Sequence, residues 1–455
     1  MKDSQTKSIA PRVNDCNRVL RLLDELVDLE GADSISLSRE NTVYKASVVL
    51  WTLVCQRMSC DTTMESAVKL LLEHKPSLLP ANNKRVSGNR LSNSTGAYSK
   101  ARSRLNVLAA KWLAQSVSNS LIESSPATFE NQRVFTLDGT GILLPPEPEF
   151  RRLYPPASDN SAWPVALLVV AHELSSATAL LPKVGAMYGE NAVSETALIG
   201  QALEQMPKDS LVMADSNFGI FAVAHQISTS DKRFVLRLTK QRFKSMYPKA
   251  KLIDQGKNYK TWSHAWKPTS KDRAGRPHIT PDITLHVWLH EIVVHEDLKV
   301  YLVTDQNYHA ETFAELYVQR GTIEIDIRNF KIVLDAEHLR ARSQDTFEKE
   351  LLASTVAYNL IVQFRRQAAS EANLPPRRLS FKRVCTTFRT FLMSKMFADG
   401  RAWVAAYERA LGYAQKEKLP NRPGRHYERE AYRKSNNPQN YKRRIPKCIQ
   451  KDKSG

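Results

Sequence analysis

Apolar side chains recur at helical spacing through about the first 125 residues. The clearest segments are residues 17–29, 40–58 and 62–74. Thr62 and Glu65 form a capping-box pair at the start of the third segment, which is typical of a helix N-terminus. A polar stretch over 82–96 then leads into a further helical segment. We therefore predict a helical N-terminal region.

The spacing of apolar residues changes near residue 130, where short runs typical of strands begin to alternate with helical segments. Strands are predicted over 133–140, 165–174, 210–219 and 233–240, with helices over 194–206 and 218–227. Strands followed by helices indicate an α/β sheet. Residues 283–304 return to a strand pattern beyond a basic loop, and the chain is helical again from residue 335.

Length and composition are those of a soluble globular protein. The 455 residues are 42% hydrophobic and 25% charged. The longest apolar run, 163–171, is too short to cross a bilayer, and the first residues lack the apolar core of a secretory signal. The five cysteines are scattered without a CxxC pair. We therefore expect a cytoplasmic protein with reduced thiols and no membrane partner.

Positive charge is concentrated in two segments. The net charge is +19, of which residues 232–276 hold +12 and residues 421–455 hold +8. Aromatic residues are interleaved with the cations, and Trp262 and Trp266 are candidates to stack on unpaired bases. The alternative for these tryptophans is ordinary core packing of the insertion. This mixture favours nucleic acid as the partner, although the second segment is also compatible with a merely solubilising tail.

A smaller group of cations lies in the N-terminal region. It extends from the polar stretch at 82–96 into the helical segment that follows, and its members could contact the phosphate backbone of DNA. The alternative is a short basic helix of the kind common on any protein surface. The group consists of Lys84, Arg85, Arg90, Lys100, Arg102 and Arg104.

One helical segment, 317–331, carries four chemically useful side chains on one face. On a helix each residue advances by about 100°, so Tyr317, Arg320, Glu324 and Lys331 fall within an arc of roughly 60°. The alternative is a solvated helix face with pairing between residues four apart.

Two further acids stand at the ends of apolar strands. Asp138 lies in "LDGT" and Asp215 in "ADSNFG". Ligands gather at the carboxyl ends of strands in α/β sheets. The alternatives are an Asp-Gly hairpin turn at Asp138 and a helix N-cap at Asp215. Together with Glu324, the two aspartates would supply the oxygen ligands that two hard divalent cations, Mg²⁺ or Mn²⁺, prefer.

These motifs resemble those of the DDE transposases of the fourth bacterial insertion-sequence family. Tyr317, Arg320, Glu324 and Lys331 match its Y-(2)-R-(3)-E-(6)-K signature, and "LDGT", "ADSNFG" and "IEIDIRNFK" match its three acid motifs in order. "STGAYSKARSRL", "AYNLI", "LSF" and "RPGR" extend the likeness over nearly the whole chain. Ser216 and Gly321 depart from the Arg and Trp that many relatives have there, which puts details of DNA-end contact in doubt.

The resemblance implies a ribonuclease-H-like catalytic core with a β-rich insertion, flanked by helical N-terminal and C-terminal regions. It implies two-metal catalysis by Asp138, Asp215 and Glu324, and a clamp on DNA-end phosphates formed by Tyr317, Arg320 and Lys331. The partners would be double-stranded DNA, as terminal inverted repeats and target, and a second copy of the chain. A catalytically idle DNA-binding protein descended from a transposase and a ribonuclease-H-like nuclease are the alternatives.

The same resemblance divides the chain into a helical DNA-binding region, a core in two parts, an insertion between them, a helical C-terminal region and a basic tail. The boundaries follow in that chain order, with the second part of the core carrying the Glu324 helix: 1–128, 129–240, 241–308, 309–345, 346–420 and 421–455.

Overall fold

The structure is a computed structural model of the chain. It describes residues 29–37, 42–59, 61–74, 79–158, 160–295, 298–333, 339–393 and 400–420. The helix predicted over 17–29, apart from its last residue, and the basic tail 421–455 lie outside the described residues. The described residues up to Lys418 form one compact unit.

The described part of the N-terminal region is helical, as predicted. Side-chain caps set two of the helix starts, since Asn83 accepts a hydrogen bond from the backbone N–H of Arg85 and Asn106 from that of Leu108, both at 2.9 Å. The helices are α1 Leu29–Ile35, α2 Ala46–Met58, α3 Met64–His74, α4 Lys84–Ser87, α5 Thr95–Arg104 and α6 Val107–Glu123.

The middle of the chain alternates between strands and helices. Its strands are β1 Val134–Leu143, β2 Val165–Glu173, β3 Lys183–Ala186, β4 Leu211–Ala214, β5 Arg233–Leu238, β6 Lys251–Gln255, β7 Tyr259–Trp266, β8 Leu285–His295 and β9 Leu298–Thr304. The helices between them are α7 Pro148–Leu153, α8 Glu195–Leu203, α9 Phe221–Thr229, α10 Lys240–Met246 and α11 Ser270–Arg273.

All nine strands belong to one mixed sheet, in the order β3-β2-β1-β4-β5-β9-β8-β7-β6. β2 is antiparallel to its neighbours β1 and β3, whereas β1, β4 and β5 run parallel. This five-stranded part, with α8 between β3 and β4 and α9 between β4 and β5, confirms the ribonuclease-H-like core.

The predicted insertion is β-rich, and it continues the core sheet. β9 pairs antiparallel with β5, with Leu236 opposite Val303, and β8, β7 and β6 follow by antiparallel pairing. β6 is exposed along its whole length at the far edge.

Helices cover both faces of the core sheet. Along β2, Leu168 and Val170 pack into the cluster formed with α2, α6 and the long C-terminal helix Gln344–Glu371, whereas Leu167 and Val169 pack against α8 and α9. This alternation follows from the two-residue period of a strand. No helix within the described ranges is long and apolar enough to span a membrane.

The segment 317–331 departs from the regular helix predicted for it. It comprises the end of α12 (Ala310–Val318), a 3₁₀ turn at Gln319–Gly321, α13 (Thr322–Arg328) and the start of a π-helical turn at Asn329–Val333. Glycine at 321 lowers the preference for an α-helix at the first interruption. The chain continues with α14 Gln344–Glu371, α15 Phe381–Met393 and α16 Gly400–Ala414.

Candidate active site

Asp138 lies within β1, and the strand does not turn there. β1 continues to Leu143 and stays paired with β2, with Asp138 opposite Val170 and Gly139 opposite Val169. The hairpin alternative is therefore wrong. Asp138 Oδ1 accepts a hydrogen bond from the backbone N–H of Gly139 at 2.9 Å. Burial raises the pKa of Asp138, and the neighbouring charge of Arg320 opposes the rise.

Asp215 follows the last residue of β4, directly beside Asp138. The parallel register pairs Leu137 with Ala214, and the residue that follows each of these two is an aspartate. Asp215 Oδ1 accepts a hydrogen bond from the backbone N–H of Asn217 at 2.8 Å. The helix that follows begins later, at Phe221, so the N-cap alternative is wrong.

The guanidinium of Arg320 contacts the two aspartates and Glu324. Arg320 Nη2 lies 2.9 Å from Asp138 Oδ2 and 3.8 Å from Asp215 Oδ2, and Arg320 Nη1 lies 3.5 Å from Glu324 Oε1. Each aspartate thus has one oxygen held by a backbone N–H and the other turned toward Arg320. The three predicted acids converge, although they come from a strand, a strand end and a helix.

Tyr317 and Lys331 reach the same two strands. Lys331 Nζ donates to the carbonyl oxygen of Gly141 at 2.9 Å and lies 3.4 Å from Thr140 Oγ1. The hydroxyl of Tyr317 lies 3.5 Å from the carbonyl oxygen of Ala214, and burial raises the pKa of Tyr317 to about 12. Tyr317, Arg320 and Lys331 therefore contact the second half of β1 or the end of β4, and Glu324 contacts Arg320, despite the interrupted helix.

Metal ligation by the three acids stays a prediction. Within the described residues, no three His, Cys, Asp or Glu side chains are placed to hold a metal ion in this geometry. The guanidinium of Arg320 lies within 4 Å of all three carboxylates. The donor set fits hard divalent cations, since it consists of carboxylate oxygens already collected around one positive charge.

A fourth acid, which the sequence motifs did not indicate, also faces the site. Glu195, the first residue of α8, is half-buried beside Gly139. Burial, followed by the charges of Asp138 and Asp215, raises the pKa of Glu195. The one sequence signal available was the glycine after Asp138, which leaves room for another side chain.

The prediction that two tryptophans stack on DNA bases is corrected by their position in β7. Trp262 is 9% exposed and Trp266 is 7% exposed, and both belong to the core with Val287 and Leu289 of β8. They lie four residues apart on a strand, so both side chains point to the same face of the sheet, and this face is buried here.

The N-terminal cations divide between the surface and the interior. Arg102 is buried, and its Nη2 lies 2.9 Å from Glu350 Oε1 in α14, which corrects the expectation that it contacts DNA. Lys100 and Arg104 instead line a cavity of about 920 Å³ formed by α5, residues 82–94 and residues 42–44. Three further cations line the same cavity, whose described lining contains no acidic residue: Lys84, Arg85 and Arg90.

Comparison with known proteins identifies the family of the chain. The Transposase DDE domain family matches residues 131–360, half of the 455-residue chain, and the matched region contains all three acids. A solved cryo-EM structure of the piggyBac transposase synaptic complex with hairpin DNA matches 92% of this chain and 88% of its own, at 11% identity and a TM-score of 0.40. A likeness this weak carries no weight for fold or function. No curated protein sequence matches. The family match shows that the chain belongs to the Transposase DDE domain family and is a DDE transposase, an enzyme of DNA cleavage and strand transfer by phosphoryl transfer.

Proposed function

We propose that this transposase belongs to the fourth bacterial insertion-sequence family and moves its element by a cut-and-paste reaction. The observation that carries the proposal is the convergence of Asp138, Asp215 and Glu324 around Arg320, with Tyr317 and Lys331 alongside. The alternative for this segment is a solvated helix face, and such a face would not place its charged side chains against β1 and the end of β4.

In this proposal the three carboxylates hold two Mg²⁺ or Mn²⁺ ions. DDE transposases generally use divalent metal ions. When bound, such ions activate a water or a 3′-hydroxyl and stabilise the leaving oxygen of an in-line displacement. The backbone N–H groups of Gly139 and Asn217 each fix one aspartate oxygen and thereby orient the other toward the site.

Arg320 has two roles in the proposal. Its guanidinium offsets the repulsion among the carboxylates, since it contacts all three. If the carboxylates held cations, the same guanidinium could hold a phosphate of the DNA end through two parallel hydrogen bonds. Lys331 provides a second positive charge at the end of β1.

DNA contacts outside the site are assigned to two surfaces. The first is the cavity beside α5, which concentrates five cations and suits the phosphates of a terminal inverted repeat. The second is the insertion, where most cations of 232–276 are exposed. Because two element ends must be held together before joining, we propose that the active species is a homodimer.

The proposed function is tested by an assay in which the 3′ ends of the element are joined to target DNA. Full-length protein, Mg²⁺ and DNA carrying the inverted repeats that flank its gene should yield 3′ ends joined to a target plasmid. A protein that binds these ends but neither cuts nor joins them would be a DNA-binding protein rather than an active transposase. A protein that cuts without joining would be a nuclease.

The exposed lysines of the insertion should set part of the salt dependence of DNA binding. Changing Lys251 and Lys260 to glutamine should flatten the slope of log K against log salt by about 0.9 for each phosphate that is no longer neutralised. The measurement is fluorescence anisotropy over a salt series. Lys208 and Lys382, also exposed, provide a charge-matched control pair. An equal effect of the two pairs would show that overall charge, and not the insertion, is responsible.

A further inference from the structure

Glu195 reaches the active site from an element that carries none of the matched motifs. It begins α8, between β3 and β4, and its carboxyl group lies against the backbone of Gly139. A Cβ atom built on Gly139 would stand 2.0 Å from Glu195 Oε1 and 2.3 Å from its Cδ. The carboxylate therefore fills the space that a side chain at position 139 would occupy.

The electrostatic surroundings of Glu195 are those of the active site. Burial, then the charges of Asp138 and Asp215, raise its pKa, while a hydrogen bond with Asn217 and the charge of Arg320 oppose the rise. Asn217 also donates its backbone N–H to Asp215, so the same short segment contacts both acids. An acid in the first turn of a helix is common because it interacts favourably with the helix dipole, but that role is fulfilled equally by a side chain in solvent.

We propose that Glu195 is a fourth carboxylate of the metal site, on the side of Asp138. The inference rests on the proposed function, because it assumes that Asp138, Asp215 and Glu324 hold divalent cations. The charges of Asp138 and Asp215 repel that of Glu195, and the single charge of Arg320 offsets only part of the repulsion. Two divalent cations carry four positive charges and match the group.

The same geometry gives a reason for glycine at position 139. Any larger residue directs its Cβ into the Glu195 carboxyl group. Because that carboxyl group is the end of a flexible side chain, Gly139→Ala is expected to fold and to push Glu195 out of the site. Gly139→Ala and Glu195→Gln should therefore impair metal binding in the same way, and the double variant should be no worse than either single one.

The experiment is a Mn²⁺ titration of the full-length protein, followed by electron paramagnetic resonance with and without DNA. We expect Glu195→Gln to weaken Mn²⁺ binding by roughly 10-fold or more, which is the range for supporting groups at metal sites. Glu204→Gln, an exposed glutamate just beyond the other end of α8, is the matched control and should bind Mn²⁺ normally. Circular dichroism and melting temperature verify that each variant is folded.

Asp138→Asn separates the two levels of the proposal. If Asp138→Asn weakens Mn²⁺ binding and folded Glu195→Gln binds normally, Glu195 is no part of the site and the inference is overturned while the proposed function stands. If neither variant changes Mn²⁺ binding, or the wild-type protein binds no Mn²⁺ even with DNA, the metal site itself is wrong. Additive effects in the double variant with Gly139→Ala would contradict the shared mechanism.

Discussion

Glu324→Gln is expected to abolish strand cleavage and leave DNA-end binding largely intact. The substitution keeps the size of the side chain and removes the charge that the proposed metal site requires. Loss of an interaction worth several kcal/mol in the transition state slows the reaction by roughly 10³-fold or more. Single-turnover cleavage of end DNA in Mg²⁺ measures the rate, and anisotropy measures binding.

Glu315→Gln is the matched control for this experiment. Glu315 is exposed on α12, nine residues before Glu324, and has the same chemistry without contact to Arg320. It should cleave at the wild-type rate. Normal cleavage by Glu324→Gln would remove Glu324 from the catalytic group, and loss of activity in both variants would indicate a general effect on this helical segment.

Arg320→Ala should give a different result in the same assay. It removes a proposed phosphate contact and no metal ligand, so the loss should be largest in the joining of pre-nicked ends and in stable pairing of two ends. Arg320→Lys should also be impaired, because a lysine cannot reproduce the planar guanidinium. Wild-type joining by Arg320→Ala would restore the interpretation of a solvated, merely paired helix face.

Asp326→Ala is expected to destabilise the fold by about 3–5 kcal/mol, the usual result of removing one partner from a buried ion pair. Asp326 is 1% exposed on α13, and its two carboxylate oxygens accept hydrogen bonds from Arg377 at 3.0 and 2.8 Å. Arg377 would be left without its counter-charge. Urea unfolding measures the change in the free energy of unfolding, provided that the dependence of this free energy on urea concentration is the same in both proteins.

Lys208→Ala provides the contrast for a surface pair. Lys208 Nζ lies 3.5 Å from Asp231 Oδ2, and both side chains are well exposed. Water screens such a pair, so the change should be below about 1 kcal/mol. Similar stability of Asp326→Ala and Lys208→Ala would mean that the Asp326–Arg377 pair does not hold α13 in place.

The spacing of residues along the sequence predicted the candidate site better than any other feature. The order of the three acids and the offsets in segment 317–331 identified side chains that meet in space, even though Gly321 interrupts the regular helix. The strand pattern likewise anticipated a core sheet. What spacing could not tell was that the insertion pairs with β5, because pairing between distant strands leaves no local pattern.

Other misses came from residues whose chemistry suits two environments. An alternating tryptophan in a strand serves a core and a stacking surface equally, so Trp262 and Trp266 required the packing to decide. Arg102 was different, since helical periodicity already separates it by about 200° from Lys100 and from Arg104. Glu195 had no motif at all, and only the space left by Gly139 connects it with the site.

Because β9 pairs with β5, the core and the insertion form one sheet, and the width of this sheet can be compared with a length of DNA. β6 lies six strands from β1 in the same sheet, and at about 4.8 Å for each step the two are about 29 Å apart. DNA rises about 3.4 Å per base pair, so this span corresponds to roughly eight base pairs. If Asp138 marks the point of cleavage, as proposed, a duplex that crosses the strands of the sheet would meet the outermost strand less than one helical turn from its end.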